Sequence, residues 1–524
     1  MTAQTPITSS EQQKIERWVL IATILASSIV SISSSALNVA LPALQRDLNV
    51  TGAELLWIIN AFALFLSALI LVGGSLGDHY GRNFIFRIGI IVFTIASALC
   101  GLAPNTLTLI IARAIQGIGG AMLVPGSLAI LTAIYPAARR GAAIGLWSTF
   151  SALMVAIGPV VGGWLAGQGL WRYVFYLNIP LAGVALFALS FVPETKDENA
   201  SAQLDWWGAL FTTLGLAGIT YGFIQAPDLG FGHWQIIATL GGGFLSLILF
   251  VIVESRTPHP MVPLQLFRSR TFSGTNLLTL FLYAGLGGIL FFLPLNYIQA
   301  QDYPEEIAGL TMLPFIVLLI LMSRWAGGLV DRVGARLPLI VGPALAGVGM
   351  ALFTIPGLTS GPAEYWTTFL PPTILFGIGM GITVAPLTTA VMGSAPVETT
   401  GIASGINNAV SRSAQVLAVA IFGAIALISF SQTLQTRLMP IELTDTQSRF
   451  LENESRNLGG AALPDDIDDE TAVLVQQAIR QSFVAVFRQI MWIGAGLSWL
   501  SAMAAALLIE GKSQSSSVNR SNTV

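Results

Sequence analysis

Long apolar runs are the feature that most constrains what this chain can fold into. A helix that crosses the hydrocarbon core of a bilayer needs roughly 20 apolar residues, and on that measure the sequence contains fourteen candidate spans. They cover residues 18–41, 55–76, 84–103, 106–133, 142–166, 172–192, 206–226, 234–254, 272–299, 306–329, 337–356, 366–391, 401–430 and 488–509. The sequence therefore predicts an all-α polytopic membrane protein with 14 transmembrane helices.

Composition limits the classes of function. Of the 524 residues, 54% are hydrophobic and 10% are charged, whereas soluble domains are about 25% charged. The net charge of −3 provides no basic surface for nucleic acid, and the single cysteine, Cys100, rules out an internal disulfide and a thiolate metal cluster. The sequence contains no Walker-type phosphate loop and no cluster of metal-ligating residues at membrane depth. We therefore expect no metal, no cofactor and no enzyme activity.

Charges in the short loops predict the orientation. If residue 1 is cytoplasmic, the short loops on that side hold Arg82, Arg87, Arg139, Arg140, Lys196, Arg256, Arg268, Arg270, Arg332 and Arg336. The short loops on the opposite side hold only Arg46 and Arg172. The positive-inside rule then places both termini in the cytoplasm, and we expect a multi-pass protein of the bacterial plasma (inner) membrane.

The two ends of the chain are interpreted as tails. Residues 1–17 are a cytoplasmic N-terminal tail, because the first apolar run is too long for a signal peptide and is retained as a span. Residues 511–524 are expected to be a disordered cytoplasmic tail.

An internal repeat predicts the domain organisation. The stretch "GGSLGDHYGR" (73–82) has a counterpart in "AGGLVDRVGA" (326–335). Two homologous halves with the same spacing predict two six-helix bundles, 18–192 and 272–510, around a central path. Residues 193–271 are then a linker with two extra transmembrane helices. The second bundle includes a long external loop, 431–484, which from Asp469 onward predicts an amphipathic helix leading into the last span.

Four stretches together resemble one family. They are "GGSLGDHYGR" (73–82), "LIIARAIQGIGGA" (109–121), "IGPVVGG" (157–163) and "NVALP" (38–42). They resemble the major facilitator superfamily, and more narrowly its fourteen-helix drug:proton antiporter (DHA2-like) branch, over nearly the whole chain. The resemblance implies a secondary active transporter that exports small amphipathic compounds by alternating access, coupled to protons. The implied partners are a small-molecule substrate, the lipid bilayer and protons, and we expect a monomer.

The resemblance also assigns roles to three groups of residues. The cytoplasmic gating motif comprises Gly74, Asp78, Gly81 and Arg82, with Asp331 and Arg332 in the repeat. The helix-four motif comprises Arg113, Gln116 and Gly117. The antiporter motif of helix five comprises Gly158, Pro159, Gly162 and Gly163. A charge at the depth of Arg113 costs roughly 2.5–3.5 kcal/mol on insertion scales, so it should face the bundle interior. Its role is either functional or structural, with backbone carbonyls and Gln116 as partners.

Polar residues within the spans are the candidates for a substrate cavity. They are Ser33, Asn38, Asn60, Asn276, Tyr283, Asn407, Asn408, Arg412 and Gln415. The family branch usually has an aspartate where this chain has Ser33, and no carboxylate lies at mid-membrane in the predicted spans. Proton coupling usually needs a buried acid. The alternative function is therefore a facilitator, or an exporter of organic anions or metabolites, without proton antiport.

The two arginines within the spans leave a further question open. Arg113 and Arg412 have no evident acidic partner in the sequence, which favours an anionic substrate. The rival interpretation is that carbonyls and amides satisfy both guanidinium groups.

Overall fold

The structure, a computed structural model, describes residues 9–196, 205–258, 260–396 and 399–511. Residues 1–8 and 512–524 of the two predicted tails lie outside this description, as do residues 197–204 and 259 of the predicted linker. The described residues form helices and their connections, with no strand among them.

The α-helices of the first half are α1 Ser9–Leu48, α2 Gly52–Tyr80, α3 Arg82–Leu102, α4 Thr106–Ile134, α5 Ala137–Gly167, α6 Tyr173–Tyr176 and α7 Asn178–Leu189. They are followed by α8 Trp206–Leu229 and α9 Trp234–Arg256. The second half contains α10 Arg270–Leu295, α11 Glu305–Leu310, α12 Leu313–Val333, α13 Arg336–Leu352, α14 Tyr365–Thr368, α15 Leu370–Gly393, α16 Thr400–Leu438, α17 Asp445–Glu454 and α18 Asp469–Leu508. A π-helical stretch, Asn296–Ala300, extends α10, and α18 begins at the residue where the sequence predicts an amphipathic helix.

Twelve helices of the described chain are long and apolar enough to cross a membrane. The predicted spans 172–192 and 337–356 correspond to shorter apolar helical stretches, Tyr173–Leu189 and Arg336–Leu352. The first of these is interrupted between α6 and α7, where Pro180 lacks the N–H group that would bond one turn back. The all-α transmembrane class is confirmed, while the count of fourteen spans stays a prediction.

The first helix starts earlier than its apolar run. It begins at Ser9 rather than at residue 18, because its polar first turns bond to the connection between α4 and α5. Gln12 donates to the Ile134 carbonyl (3.3 Å), Tyr135 donates to the Glu16 carbonyl (2.7 Å), and Arg139 pairs with the Glu16 carboxylate at 2.7 Å. Part of the predicted N-terminal tail is therefore a docked helical extension.

The helices pack in two bundles with the same pattern of neighbours. In the first bundle, α1 packs against α5 and α7, while α2 and α3 both pack against α4. In the second, α10 packs against α16 and α18, while α12 and α13 both pack against α15. These pairs occupy equivalent positions in the predicted repeat. We call the sets α1–α7 and α10–α18 the first and second bundle.

Two opposite faces of the molecule serve as reference below. The terminal face is the one where α1 begins and α18 ends. There Arg336, at the start of α13, donates to the Ala506 carbonyl near the end of α18 (2.6 Å). The loop face is the one where α1 ends. It carries residues 439–468, which include α17.

The inserted pair α8 and α9 packs as an antiparallel hairpin beside the bundles. Helix α8 also contacts α2 of the first bundle and α16 of the second. Leu64 and Ala68 of α2, Leu216 of α8 and Val416 of α16 form one buried apolar cluster. Helix α8 therefore covers the seam between α2 and α16, while most of α9 is exposed.

Candidate functional site

The bundles are joined at the loop face. Arg46 of α1 forms an ion pair with Glu305 of α11. Gln299 donates to Gln45 Oε1 (2.9 Å), and Gln45 donates to the Asn457 carbonyl (3.2 Å). Nearer the middle of the helices, Asn38 makes a long bond of 3.4 Å to the Leu290 carbonyl. In the described part of the chain, these four contacts are the polar bonds between the bundles, and all involve the second half of α1.

The glycines of the helix-five motif make two close helix contacts. A Cβ on Gly158 would lie 1.9 Å from Ser35 Oγ, and one on Gly162 would lie 2.2 Å from the Ala36 carbonyl oxygen, so both face α1. A Cβ on Gly163 would lie 2.3 Å from the Glu305 carbonyl oxygen, in the other bundle. The motif therefore brings α5 into backbone contact with α1 on one side and with α11 on the other.

Pro159 belongs to the same contact. A Cβ on Gly309 of α11 would lie 2.3 Å from the Pro159 carbonyl oxygen. Proline at that position removes one bond of the α5 ladder, and its carbonyl lies against the second bundle.

The other end of α5 has no such neighbours. In the part of the chain that the structure describes, no atom outside α5 lies within 4 Å of a Cβ built on Gly141 or Gly145. Leu146 and Phe150 of α5 are exposed, as are Leu321 and Trp325 of α12. Helix α5 thus packs directly against the second bundle at the loop face and is separated from it at the terminal face. At the terminal face the bundles are therefore apart on the side of α5 and α12, and the space between them is open there.

A buried polar chain runs through the first bundle. Arg113 donates to the Ile58 carbonyl (3.1 Å) and to Gln116 Oε1 (2.6 Å), and Gln116 donates to Ser97 Oγ (2.7 Å). Asn178 donates to Ser97 Oγ (3.2 Å), and also to Ser33 Oγ at 2.7 Å. The Arg113 guanidinium lies 4.3 Å from the centre of the Phe62 ring, an arrangement that stabilises a cation.

This chain determines where the helix-one and helix-four residues lie. Ser33 and Arg113 are both buried inside the first bundle and do not line the open space in this conformation. Gly117 faces α2, since a Cβ there would lie 2.4 Å from the Phe62 carbonyl oxygen. Ser34 and Ser35 donate to the carbonyls one turn back, Val30 and Ser31, at 2.9 Å each. The serines of α1 thus have partners within the first bundle.

A second polar cluster lies between α10 and α16. Asn407 donates to Thr279 Oγ1 (2.8 Å) and to Asn276 Oδ1 (3.2 Å), while Asn276 donates to the Phe272 carbonyl at 2.9 Å. The next residue on α16, Asn408, is exposed, and among the described residues it bonds to its own helix, through the Ser404 carbonyl (3.1 Å). The structure thus brings together Asn276 and Asn407, and leaves Asn408 facing outward from that cluster.

Arg412 differs from Arg113 in its surroundings. It is half-buried, and its Nε has no hydrogen-bond partner in the described structure. The hydroxyl group of Tyr283 on α10 is close enough to interact electrostatically with the Arg412 guanidinium. Gln415, one turn further on, bonds to the Ser411 carbonyl of its own helix (3.2 Å). Arg412 is therefore a cation with spare hydrogen-bonding capacity between α10 and α16.

Asn60 is buried, and neither atom of its amide group has a hydrogen-bond partner among the residues that the structure describes. It lies on α2 between Trp57, whose ring is 6.0 Å from that of Tyr221 on α8, and Leu64 of the three-helix cluster. Asn60 therefore belongs to the seam with the inserted helix rather than to the polar chain of the first bundle.

The gating motif forms the turn between α2 and α3. Arg82 donates to Asp78 Oδ1 at 2.8 Å. Gly81 has φ of +116°, a conformation that side chains other than glycine rarely adopt. Glu194, which sequence reasoning missed, accepts bonds from the backbone N–H groups of Asn83 (2.8 Å) and Phe84 (2.9 Å) at the start of α3. Hydrogen bonds to Glu194 thus join the turn to the segment that follows α7.

The repeat of this turn has the same backbone feature. Gly334 has φ of +78°, at the position equivalent to Gly81. Arg332 is exposed, and the side chain of Asp331 lies outside the described part of the structure. Gly74 faces Pro125 of α4, since a Cβ built on Gly74 would lie 3.4 Å from Pro125 Cβ.

Besides Glu194, three participants in the two polar clusters were not among the sequence candidates. Ser97 and Asn178 complete the polar chain, and Thr279 completes the α10–α16 cluster. Asn178 is an amide within an apolar run, and that is the signal that could have identified it, because a polar side chain in a span needs a partner. Serine and threonine carry a weaker signal, since they also bond to their own helix.

Comparison with known proteins places the chain among transporters. Residues 23–419 match the profile of the Major Facilitator Superfamily. The multidrug resistance protein Stp of Mycobacterium tuberculosis is 31% identical over 427 residues, which cover 80% of this chain and 77% of the relative. The puromycin resistance protein pur8 of Streptomyces alboniger is 34% identical over 396 residues, 75% of this chain and 78% of the relative. The tetracenomycin C resistance and export protein of Streptomyces glaucescens is 29% identical over 78% of this chain and 75% of the relative.

Solved structures share the fold. A bacterial homologue of the human lysosomal transporter Spinster, in an inward-facing and unoccupied conformation, superposes with a TM-score of 0.63 at 16% identity, covering 94% of this chain and 98% of the other. The inward open xylose transporter XylE from E. coli gives 0.55 at 14% identity, covering 96% and 98%. Two bundles with equivalent packing, and a profile match over most of the sequence, show that this chain belongs to the Major Facilitator Superfamily.

Proposed function

We propose that this chain exports small amphipathic compounds across the bacterial plasma membrane by alternating access. The relatives that are similar over most of the chain are named for resistance to drugs or for export of one. The terminal face is the cytoplasmic one in this proposal, because the short loops there hold most of the arginines.

One observation carries the proposal: α5 is in backbone contact with the second bundle at Gly163, whereas no atom of the described residues outside α5 lies within 4 Å of a Cβ built on Gly141 or Gly145. Alternating access needs a path that is closed on one face and open on the other. With the terminal face in the cytoplasm, the conformation is inward-facing, which is the state that accepts a compound for export. Rocking of the bundles about the middle of α5 would exchange the two faces.

Proton exchange is the coupling implied by the family resemblance. Every acidic side chain that the structure describes lies in a loop or near a helix end. In this proposal the proton is therefore not carried by a carboxylate in the middle of either bundle.

The second candidate function is export of organic anions or metabolites without proton antiport. The half-buried Arg412, whose Nε has no partner among the described residues, favours it. A carboxylate or phosphate on the substrate would supply charge-assisted bonds to that guanidinium.

Reconstitution in liposomes tests both candidates. Purified protein is incorporated into vesicles loaded with a cationic or an anionic fluorescent dye, and release is followed with and without a pH gradient. A proton-coupled exporter releases dye faster when the gradient is imposed. A facilitator or anion exporter releases dye at a rate that the gradient does not change, and protein-free vesicles give the leak.

Failure to move any amphipathic dye, in protein shown to be folded by its helical circular dichroism, would contradict the exporter proposal. Release that depends on the gradient would contradict the second candidate.

A further inference from the structure

Two carboxylates meet at the base of the inserted helices, away from the sites described above. Asp205 is the N-cap of α8, and Glu254 lies in the last turn of α9. Both are more than nine-tenths buried: Asp205 is 8% exposed and Glu254 is 3% exposed. Buried acids that lack a cationic partner are costly, so their presence requires an explanation.

Each carboxylate has one bonded and one unbonded oxygen. Asp205 Oδ1 accepts the N–H of Gly208 (2.8 Å), and Glu254 Oε2 accepts the N–H of Val262 (3.1 Å). Asp205 Oδ2 and Glu254 Oε1 have no hydrogen-bond partner among the described residues. Each acid is thus half satisfied by backbone.

The two unbonded oxygens face each other. A Cβ built on Gly208 would lie 2.6 Å from Asp205 Oδ2 and 2.9 Å from Glu254 Oε1, so the same small space borders both atoms. The two side chains are close enough to act as hydrogen-bond partners. Two ionised groups in that position would repel each other with little water to screen them.

No cation neutralises the pair in the described part of the structure. Besides the pair itself, the titratable and charged groups on α8, on α9 and on the helices packed against α8 are Glu54, Asp78, His79 and Tyr80 of α2, Tyr221 and Asp228 of α8, Arg256 of α9, and Arg412 and Arg437 of α16. None of these forms an ion pair or hydrogen bond with either carboxyl group. A metal ion is disfavoured as well, since the described residues contain no group of three metal-ligating side chains and a cation such as Ca²⁺ takes six to eight oxygen ligands.

We propose that Asp205 and Glu254 form a proton-binding site, in which one proton held between their facing oxygens joins the start of α8 to the end of α9. The protonated acid donates to the ionised one, and both unbonded oxygens gain a partner. The remaining single negative charge lies at the N-terminus of α8, where the helix dipole and the Gly208 N–H stabilise it. The site stands apart from the proposed function and would exist in a transporter that moves no protons.

The test is the pH dependence of thermal unfolding in detergent or nanodiscs. The folded pair holds a proton that the unfolded chain has already released near neutral pH. Stability from that proton is therefore present at acidic pH and is lost as the pH rises. We expect the wild-type Tm to fall as the pH rises above about 4, where the carboxyl groups of the unfolded chain ionise, and to level off once the folded pair has released its proton. The variant Glu254→Gln should show a flatter profile, because its amide donates to Asp205 Oδ2 without a titrating proton.

Two further variants sharpen the comparison. Asp205→Asn should flatten the profile in the same way as Glu254→Gln. Glu452→Gln, which changes an exposed carboxylate of α17, should keep the wild-type slope. Equal slopes in all four proteins would overturn the proposal. A Tm that rises on adding sodium or calcium at constant pH, in the wild type but not in Glu254→Gln, would assign the site to a metal cation and also overturn it.

An infrared measurement on the wild type keeps the proposal falsifiable if the variants do not fold. The expected result is a carboxylic-acid C=O band that persists at neutral pH and shifts on exchange into deuterium oxide. Absence of that band at neutral pH would refute the shared proton without any variant.

Discussion

At the scale of the residue, the two intramembrane arginines illustrate how neighbours decide a role. Arg113 is fully buried, and its partners are a carbonyl, an amide and the Phe62 ring. Arg412 is half-buried with an unpaired Nε. The sequence could establish only that both lie in apolar runs. The partners of Arg113 are of the kind that the structural interpretation expects, and the unpaired Arg412 is the one for which we retain the anionic-substrate hypothesis; both roles stay predictions.

Replacing Arg113 tests the first assignment. In Arg113→Gln, the Ile58 carbonyl and the Gln116 side chain lose their donor in a buried site, and each unsatisfied group costs about 1–3 kcal/mol. We expect a clearly lowered Tm in detergent, with dye selectivity unchanged in whatever protein remains folded. A variant as stable as the wild type would contradict the structural role.

Replacing Arg412 tests the second assignment. Arg412→Gln leaves no buried partner unsatisfied among the described residues, so the Tm should change little. If the guanidinium contacts an anionic group of the substrate, loss of a charge-assisted bond worth about 1.5–3 kcal/mol lowers export of anionic dyes about tenfold or more. Efflux of anionic and cationic dyes from proteoliposomes measures this, and equal effects on both dyes would argue against the anion hypothesis.

At the scale of the element, the close contacts of α5 with α1 and α11 are the feature that closes the loop face in this conformation. At the loop face, α5 approaches α1 and α11 so closely that side chains at Gly158, Gly162 and Gly163 would collide with neighbouring atoms. At the terminal face, a Cβ built on Gly141 or Gly145 has no atom of another described element within 4 Å. The same helix thus offers a matched pair of positions for testing the closure.

Adding a side chain at the contact should prevent closure of the loop face. In Gly163→Leu, the new atoms fall on the Glu305 backbone, and overpacking of this kind costs about 1–3 kcal/mol. That cost shifts the balance away from the present conformation by about fivefold to 150-fold. Gly145→Leu is the control on the same helix. Labelling of a single cysteine at Gln45 by a membrane-impermeant thiol reagent should rise in Gly163→Leu only. Equal labelling in both variants would show that α5 does not set the closure.

The elements also mark the limit of prediction from sequence. Helix positions followed from apolar runs, and the glycine turns at Gly81 and Gly334 followed from the repeat. The sequence did not predict which polar side chains bond to each other, because Ser33, Ser97 and Asn178 come from three different helices and their contact depends on how those helices pack. The early start of α1 was missed as well, since residues 9–17 are polar and their partners lie more than a hundred positions away.

At the scale of the whole molecule, the closed loop face involves both bundles and the residues 439–468. Gln45 bonds to Gln299 of the second bundle and to the Asn457 carbonyl, and Arg456 forms an ion pair with Asp228 of α8 at 3.5 Å. Alternating access requires these contacts to separate together, because they join parts that must move relative to one another.

A crosslink across the loop face should therefore arrest transport. In Gln45→Cys combined with Gln299→Cys, a short reducible bifunctional thiol reagent would join the bundles. The native Cys100 is buried and should not react. We expect dye efflux to stop after crosslinking and to return on reduction, while either single variant keeps its activity. Full transport by completely crosslinked protein would show that the loop face need not open.

The position of α8 has a consequence for how a lipid-soluble compound gets in. The bundles meet along two lateral seams, one between α2 and α16 and the other between α5 and the helices α11 and α12. Helix α8 walls off the first, and in the described structure neither inserted helix packs against the second. A compound dissolved in the bilayer would therefore meet an inserted helix on one side of the molecule and the bundles themselves on the other. The side from which it arrives would determine which chemical groups it meets first.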